Sequence, residues 1–236
     1  MSAYIRRFSP KQRLEHLAAM AVFIVLVLTG LPQKFFTTGW ADAIVGLFGG
    51  VDPMRRIHRT AGVLLAASTV LHFASAIGAL LSRRVPLAMI PTRKDFEDAV
   101  GALRFYLGTS RVHPQFDRFD YRQKFEYWGL VMGNLIMIGT GFLLIFPVAV
   151  TKVLPGVAIA AARIAHSNEG LMAFLVITIW HIYNSVLAPE VFPFDAAIFT
   201  GRISRERMEH EHPLELARIE GTIAGETGHG VPMPEA

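Results

Sequence analysis

The sequence predicts an all-α membrane protein, a bundle of four transmembrane helices with the N- and C-termini cytoplasmic. Three observations carry that reading. Of 236 residues, 52% are hydrophobic and only 18% charged, against nearer a quarter charged in soluble domains. The apolar residues gather into four runs long enough to cross the hydrocarbon core as helices, which satisfy their own backbone groups in lipid. The basic residues gather on one side of those runs.

The first run, Leu17–Leu31, follows Arg6, Arg7, Lys11 and Arg13 and could imitate a secretory signal cleaved near Ala41-Asp42-Ala43. That site lies too far beyond the apolar run, and three further runs follow, so the expectation is a span over residues 14–36. The other spans are expected over 58–81, 125–150 and 164–187. Between the second and third, Thr92-Arg93-Lys94-Asp95 has the form of a helix cap and opens an amphipathic stretch to about Leu107, read as a helix at the membrane surface. Residues 1–215 read as one transmembrane domain and 216–236 as a disordered tail rich in Gly, Thr and Pro.

Orientation follows from the loops. The segment between the second and third spans holds Arg83, Arg84, Arg93, Lys94, Arg104, Arg111, Arg118, Arg122 and Lys124, and the C-terminal segment adds Arg202, Arg205, Arg207 and Arg218. The loop after the third span has only Lys152 and Arg163, while the first loop, with Lys34, Arg55, Arg56 and Arg59, weakens the contrast without reversing it. The net charge of +4 is modest and the basic residues flank apolar runs, which argues against a nucleic-acid partner and for membrane lipid.

The chain has no cysteine, which removes disulfides, thiolate-held iron–sulfur clusters and covalent c-type haem from consideration. Any metal or cofactor must be held by histidine, methionine, carboxylate or backbone. Five of the nine histidines fall in or at the ends of spans and sort into two layers by depth: His58 and His166 near the outer surface, His16, His72 and His181 near the inner one. The stretch His166–His181 spaces two imidazoles fifteen residues apart, about 22 Å along an α-helix, and turns them within about 60° of one another. Two imidazoles on a haem iron leave no open position, which suits electron transfer, and ionisable groups inside a span are costly unless used. The outer layer supplies one such pair. The inner layer offers three histidines for two positions, and leaves room for a third haem. A zinc site lacks a four-ligand set. A proton relay in a histidine-gated transporter is the alternative of another kind.

The two halves of the chain echo each other. Glu15-His16-Leu17 precedes Thr29-Gly30 at the same fourteen-residue offset by which Glu126-Tyr127-Trp128 precedes Thr140-Gly141. His58 and His166 each have a glycine four residues on, Gly62 and Gly170. This predicts two helix hairpins related by a pseudo-twofold axis along the membrane normal. By that symmetry His72 pairs with His181.

The segments RLEHLAAMAVFIVLVLTGLP (13–32), RRIHRTAGVLL (55–65) and WHIYNSVLAPEVFPFDAAIFTGRISRERMEHEHPLE (180–215) resemble the di-haem cytochrome b subunits of bacterial formate dehydrogenases (the gamma subunit) and respiratory hydrogenases, over most of residues 5–215. The resemblance implies two haem b groups, the outer held by His58 and His166 and the inner by His16 and His181, with a quinone beside the inner one. His72 is a departure and stands as an alternative inner ligand or a proton carrier at the quinone. Arg13, Arg56 and Arg59, each close in sequence to a ligand, are candidates to pair with haem propionates. Gly62 and Gly170 are read as leaving room for the macrocycle. His210 and His212, among glutamates, read as part of a solvated tail.

The expected function is a multi-pass subunit of the bacterial inner membrane. It would carry electrons between a partner redox protein, bearing iron–sulfur clusters or c-type haems, and the quinone pool of a respiratory chain. No residue is expected to be catalytic in itself, and the chain would work as one subunit of a quinone-linked oxidoreductase. A stand-alone quinol-linked cytochrome without a dehydrogenase is the alternative.

Overall fold

The structure, a computed structural model, describes residues 3–82, 88–189 and 191–221. Among the described residues it is built of helices with one small two-stranded sheet. The strand β1 (Tyr4–Arg6) leads into α1 (Pro10–Lys34), then α2 (Gly39–Leu47), α3 (Val51–Leu81), α4 (Arg93–Tyr106), α5 (Tyr121–Ile145), the single turn α6 (Pro147–Val150) and α7 (Val157–Leu175). The last continues as π-helix over Val176–His181 and Tyr183–Leu187. The chain closes with α8 (Ala197–Thr200), β2 (Arg202–Ser204), α9 (Arg205–Glu211) and α10 (Pro213–Ile219).

Four helices, Pro10–Lys34, Val51–Leu81, Tyr121–Ile145 and Val157–Leu187, are long and apolar enough to cross a membrane, as the sequence predicts. Their lipid-type side chains stay uncovered by protein: Val70, Leu71 and Ile179 are each about two-thirds exposed (66%, 70% and 67%). Such helices need hydrocarbon as their solvent.

The boundaries differ from expectation in instructive ways. The second span begins at Val51, so His58 sits seven residues inside the helix rather than at its end. Asp52, Arg55, Arg56 and Arg59 read as loop in sequence, yet all lie within that helix. The third span stops at Ile145, because Pro147 has no N–H to continue the ladder and instead opens its own short turn. The helix α2, in the connection between the first two spans, was not expected. In the fourth span the backbone widens to π geometry, and Asn184 Nδ2 and Ser185 Oγ donate to the carbonyls of Trp180 (2.8 Å) and His181 (2.7 Å), four residues back.

Two compact units divide the chain: residues 1–9, 74–129 and 196–236, and residues 10–73 with 130–195. In the first, β1 pairs antiparallel with β2 in the register Ile5↔Ile203, and Ile5 packs on a core of Ile203, Met208 and Leu216. The predicted amphipathic helix is present as α4, with Thr92 N–H donating to Asp95 Oδ2 at 2.6 Å. Burial alone would raise the Asp95 pKa, but the Lys124 ammonium at 2.7 Å and the Thr92 bonds hold it below the usual carboxylate range. In the second unit α1 packs against α2 and α7. The expected boundary at residue 215 falls inside α10. The tail beyond residue 221, with Arg83 and Arg84 of the central loop, lies outside the described residues.

Candidate functional site: two facing imidazole pairs

All five span histidines belong to the unit formed by residues 10–73 and 130–195. His58 on α3 faces His166 on α7, with ring centroids 6.2 Å apart and planes at 81°. His16 on α1 faces His181 on the π-helical part of the fourth span, with centroids 6.1 Å apart and planes at 33°. An imidazole nitrogen binds first-row metals at about 2 Å and lies about 1.2 Å from its ring centre, so two imidazoles on opposite sides of one metal stand roughly 6.4 Å apart. Both pairs sit at that separation. Among the described residues no group of three or more His, Asp or Glu side chains forms a metal cage, so the donor set comes in twos.

His72 is placed differently. Its Nδ1 lies 3.2 Å from Glu15 Oε2, and both side chains remain partly exposed. The structure brings His16 against His181 and gives His72 a carboxylate partner, Glu15.

Around the His58–His166 pair is a cavity of about 440 Å³, within the range of small-molecule and cofactor sites. Each long helix lends it one stripe. On α3 the stripe is Arg55, His58, Arg59 and Gly62, and on α7 it is Arg163, His166, Ser167 and Gly170. Both follow the i, i+3, i+4, i+7 spacing that shares a helical face. Arg55 and Arg59 thus line the wall. Arg56, turned about 100° away by the helix, is exposed and does not. Lys34 reaches the same wall and donates to Asn168 Oδ1 (2.8 Å) and Ser167 Oγ (3.1 Å).

The Thr-Gly repeat lies against these two histidines. Thr29 Oγ1 is 2.9 Å from His58 Nδ1, and Thr140 Oγ1 is 3.0 Å from His166 Nδ1. A Cβ on Gly30 would stand 3.1 Å from His58 Cε1, and one on Gly141 would stand 3.3 Å from His166 Cε1. Both are closer than ordinary carbon contact, so glycine is what lets each ring lie on the neighbouring helix. A Cβ on Gly62 would meet no atom within 4 Å, which leaves it projecting at the cavity wall. On Gly170 a Cβ would make ordinary contact, 3.4 Å from Met137 Cε.

The residues fit a haem: facing imidazoles at metal-spanning distance, an apolar cavity between helices, glycines where side chains would intrude, and a rim of cations for acidic groups. The Thr-Gly repeat, Arg55 and Arg163 carry no role in the sequence expectation, although Arg55 and Arg163 each lie three residues before a histidine and seven before a glycine.

The expectation for His212 is overturned. It is buried, at 4% exposure, in the other unit. Its Nδ1 lies 2.7 Å from the Asp117 carbonyl oxygen and its Nε2 lies 3.0 Å from the Arg7 guanidinium. A carbonyl only accepts and a guanidinium only donates, so the ring is neutral with its proton on Nδ1. Burial, then the Arg7 charge, pushes its pKa down to about 4. Arg7 also pairs with Glu215, which binds Arg118 at 2.6 Å, so N-terminus, central loop and α10 share one buried network. His210 is exposed, as expected.

Four membrane-length helices, no cysteine and imidazoles facing in pairs define a class of membrane protein that holds haem without covalent attachment. Comparison with protein families bears this out: the prokaryotic cytochrome b561 family matches residues 7–192. The chain belongs to that family and is a membrane b-type cytochrome of transmembrane electron transfer. No curated protein matches it.

Proposed function

We propose that this cytochrome carries electrons across the bacterial inner membrane, between a partner redox protein and the quinone pool, through two bis-histidine b-type haems. The observation that carries the reading is the two facing imidazole couples that share one helix, His166 of the fourth span with His58 of α3 and His181 of the fourth span with His16 of α1. When bound, haem supplies one-electron redox chemistry, and two axial imidazoles leave no position open to other ligands. His166 and His181 make the fourth span a shared rail, one ligand to each haem. Arg55, Arg59, Arg163 and Lys34 supply the positive rim against which propionates of the outer haem would be held. His72 with Glu15, one residue from His16, is an imidazole–carboxylate pair able to take up the protons released when a quinol is oxidised beside the inner haem.

The absence of cysteine from the sequence supports a separate subunit as the source or sink of electrons, in the manner of the formate dehydrogenase and hydrogenase cytochromes it resembles. Proteoliposomes containing the chain, with ferricyanide trapped inside and a short-chain menaquinol or decylubiquinol outside, test the reading. Quinol should reduce the haem and the trapped ferricyanide should bleach, with His58→Ala slowing the second step. Haem that stays oxidised with either quinol would contradict the proposal.

A further inference from the structure

The threonine contacts say more than proximity. Thr29 Oγ1 lies 2.6 Å from the Val25 carbonyl oxygen of its own helix, as well as 2.9 Å from His58 Nδ1. Thr140 repeats the arrangement, 2.6 Å from the Ile136 carbonyl oxygen and 3.0 Å from His166 Nδ1. A hydroxyl has one proton, and a carbonyl oxygen can only accept it. At the shorter of the two distances each threonine gives its proton to its own helix and keeps a lone pair for the imidazole. Nδ1 must then be the donor. In a neutral imidazole the other nitrogen, Nε2, is left with the lone pair that a metal needs.

We infer that Thr29 and Thr140 are positioning residues for the His58–His166 pair, each fixing its histidine as the Nδ1–H tautomer and raising the donor strength of Nε2. The inference rests on the reading that these two histidines ligate haem. The same lock occurs twice, on separate helix pairs (α1 with α3, α5 with α7), at positions related by the internal repeat. Each threonine is followed by the glycine whose missing Cβ makes room for Cε1 of the same ring. One dipeptide therefore both seats and orients the imidazole: the hydroxyl sets which nitrogen is protonated, and the glycine sets how closely the ring can lie. A hydrogen bond from Nδ1–H makes the imidazole a stronger donor, which favours ferric over ferrous iron and lowers the reduction potential.

The test is potentiometric titration of the purified chain, followed at the haem absorption band, for Thr29→Val, Thr140→Val, the double variant and the matching serine variants. The wild type should show two haems, one of them lost in His58→Ala. That haem should move to higher potential in each valine variant and further in the double variant, with the other haem unmoved. Thr29→Ser and Thr140→Ser should stay at the wild-type value, since serine keeps the hydroxyl. If a valine variant loses the haem while its serine counterpart retains it, the lock is supported through occupancy. Both haems retained at unchanged potential in the valine variants would overturn the inference, as would serine variants that shift or lose haem as the valine variants do. A wild type whose haem content is indifferent to His58→Ala overturns the ligation reading itself.

Discussion

His16 and His181 face one another with ring centroids 6.1 Å apart, while His72 turns to Glu15 at 3.2 Å. The repeat in the sequence favours His72 as the partner of His181, and the resemblance favours His16, the side chain that faces His181 in the fold. His16→Ala is expected to remove one haem per chain, and His72→Ala to keep both while slowing quinol-driven reduction. Haem stoichiometry of the two variants, side by side, checks this. Loss of haem in His72→Ala alone would reverse the assignment.

Gly30 and Gly141 are predicted to be sensitive to a single methyl group. An alanine Cβ at Gly30 would stand 3.1 Å from His58 Cε1, and at Gly141 3.3 Å from His166 Cε1, so each ring must give by a few tenths of an ångström. Gly30→Ala should shift the spectrum and potential of the His58–His166 haem more than Gly141→Ala does, and Gly30→Val should abolish its binding. Equal perturbation of both haems would point instead to general disruption of the bundle.

The buried His212 predicts a pH dependence of stability. Its folded pKa of about 4 lies below the ordinary 6.5, so the unfolded imidazole takes up its proton first as pH falls. Stability from this group is full above pH 6.5 and is lost as pH drops towards 4, by up to about 3 kcal/mol. Hydrogen-exchange protection of β1, β2 and α9 should fall between pH 7 and pH 5 in the wild type, and change less in His212→Asn. A wild type and variant with the same pH profile would count against a buried neutral ring.

Breaking the Arg7–Glu215 pair should cost more. Glu215→Ala leaves two guanidinium groups facing a space without their carboxylate, a change of about 3–5 kcal/mol for a buried pair. Limited proteolysis should open the C-terminal segment in this variant while the haem spectrum stays as in the wild type, because both partners lie outside the unit that holds the span histidines.

The spans were legible because membrane solubility is written into composition, residue by residue, and needs no tertiary partner. The start of α3 was not, because Asp52 and three arginines read as loop until the helix is seen to turn Arg55 and Arg59 onto a cavity wall. Closeness in sequence to His58 points to Arg56, whereas the i, i+3 spacing of one helical face points to Arg55, which lines the cavity. The π geometry of Val176–His181 and Tyr183–Leu187 carries no propensity signature of its own, only the Asn184 and Ser185 donors that meet the Trp180 and His181 carbonyls. His212 could not be read at all, since its burial depends on Arg7, 205 residues away in sequence.

A pyridine haemochrome assay of the purified chain, with protein quantified in the same sample, tests most directly whether the two imidazole pairs hold two haems. Two b-type haems per chain, falling to one in His58→Ala and to one in His16→Ala, is the predicted result. A single haem in the wild type, or two in either variant, would contradict it.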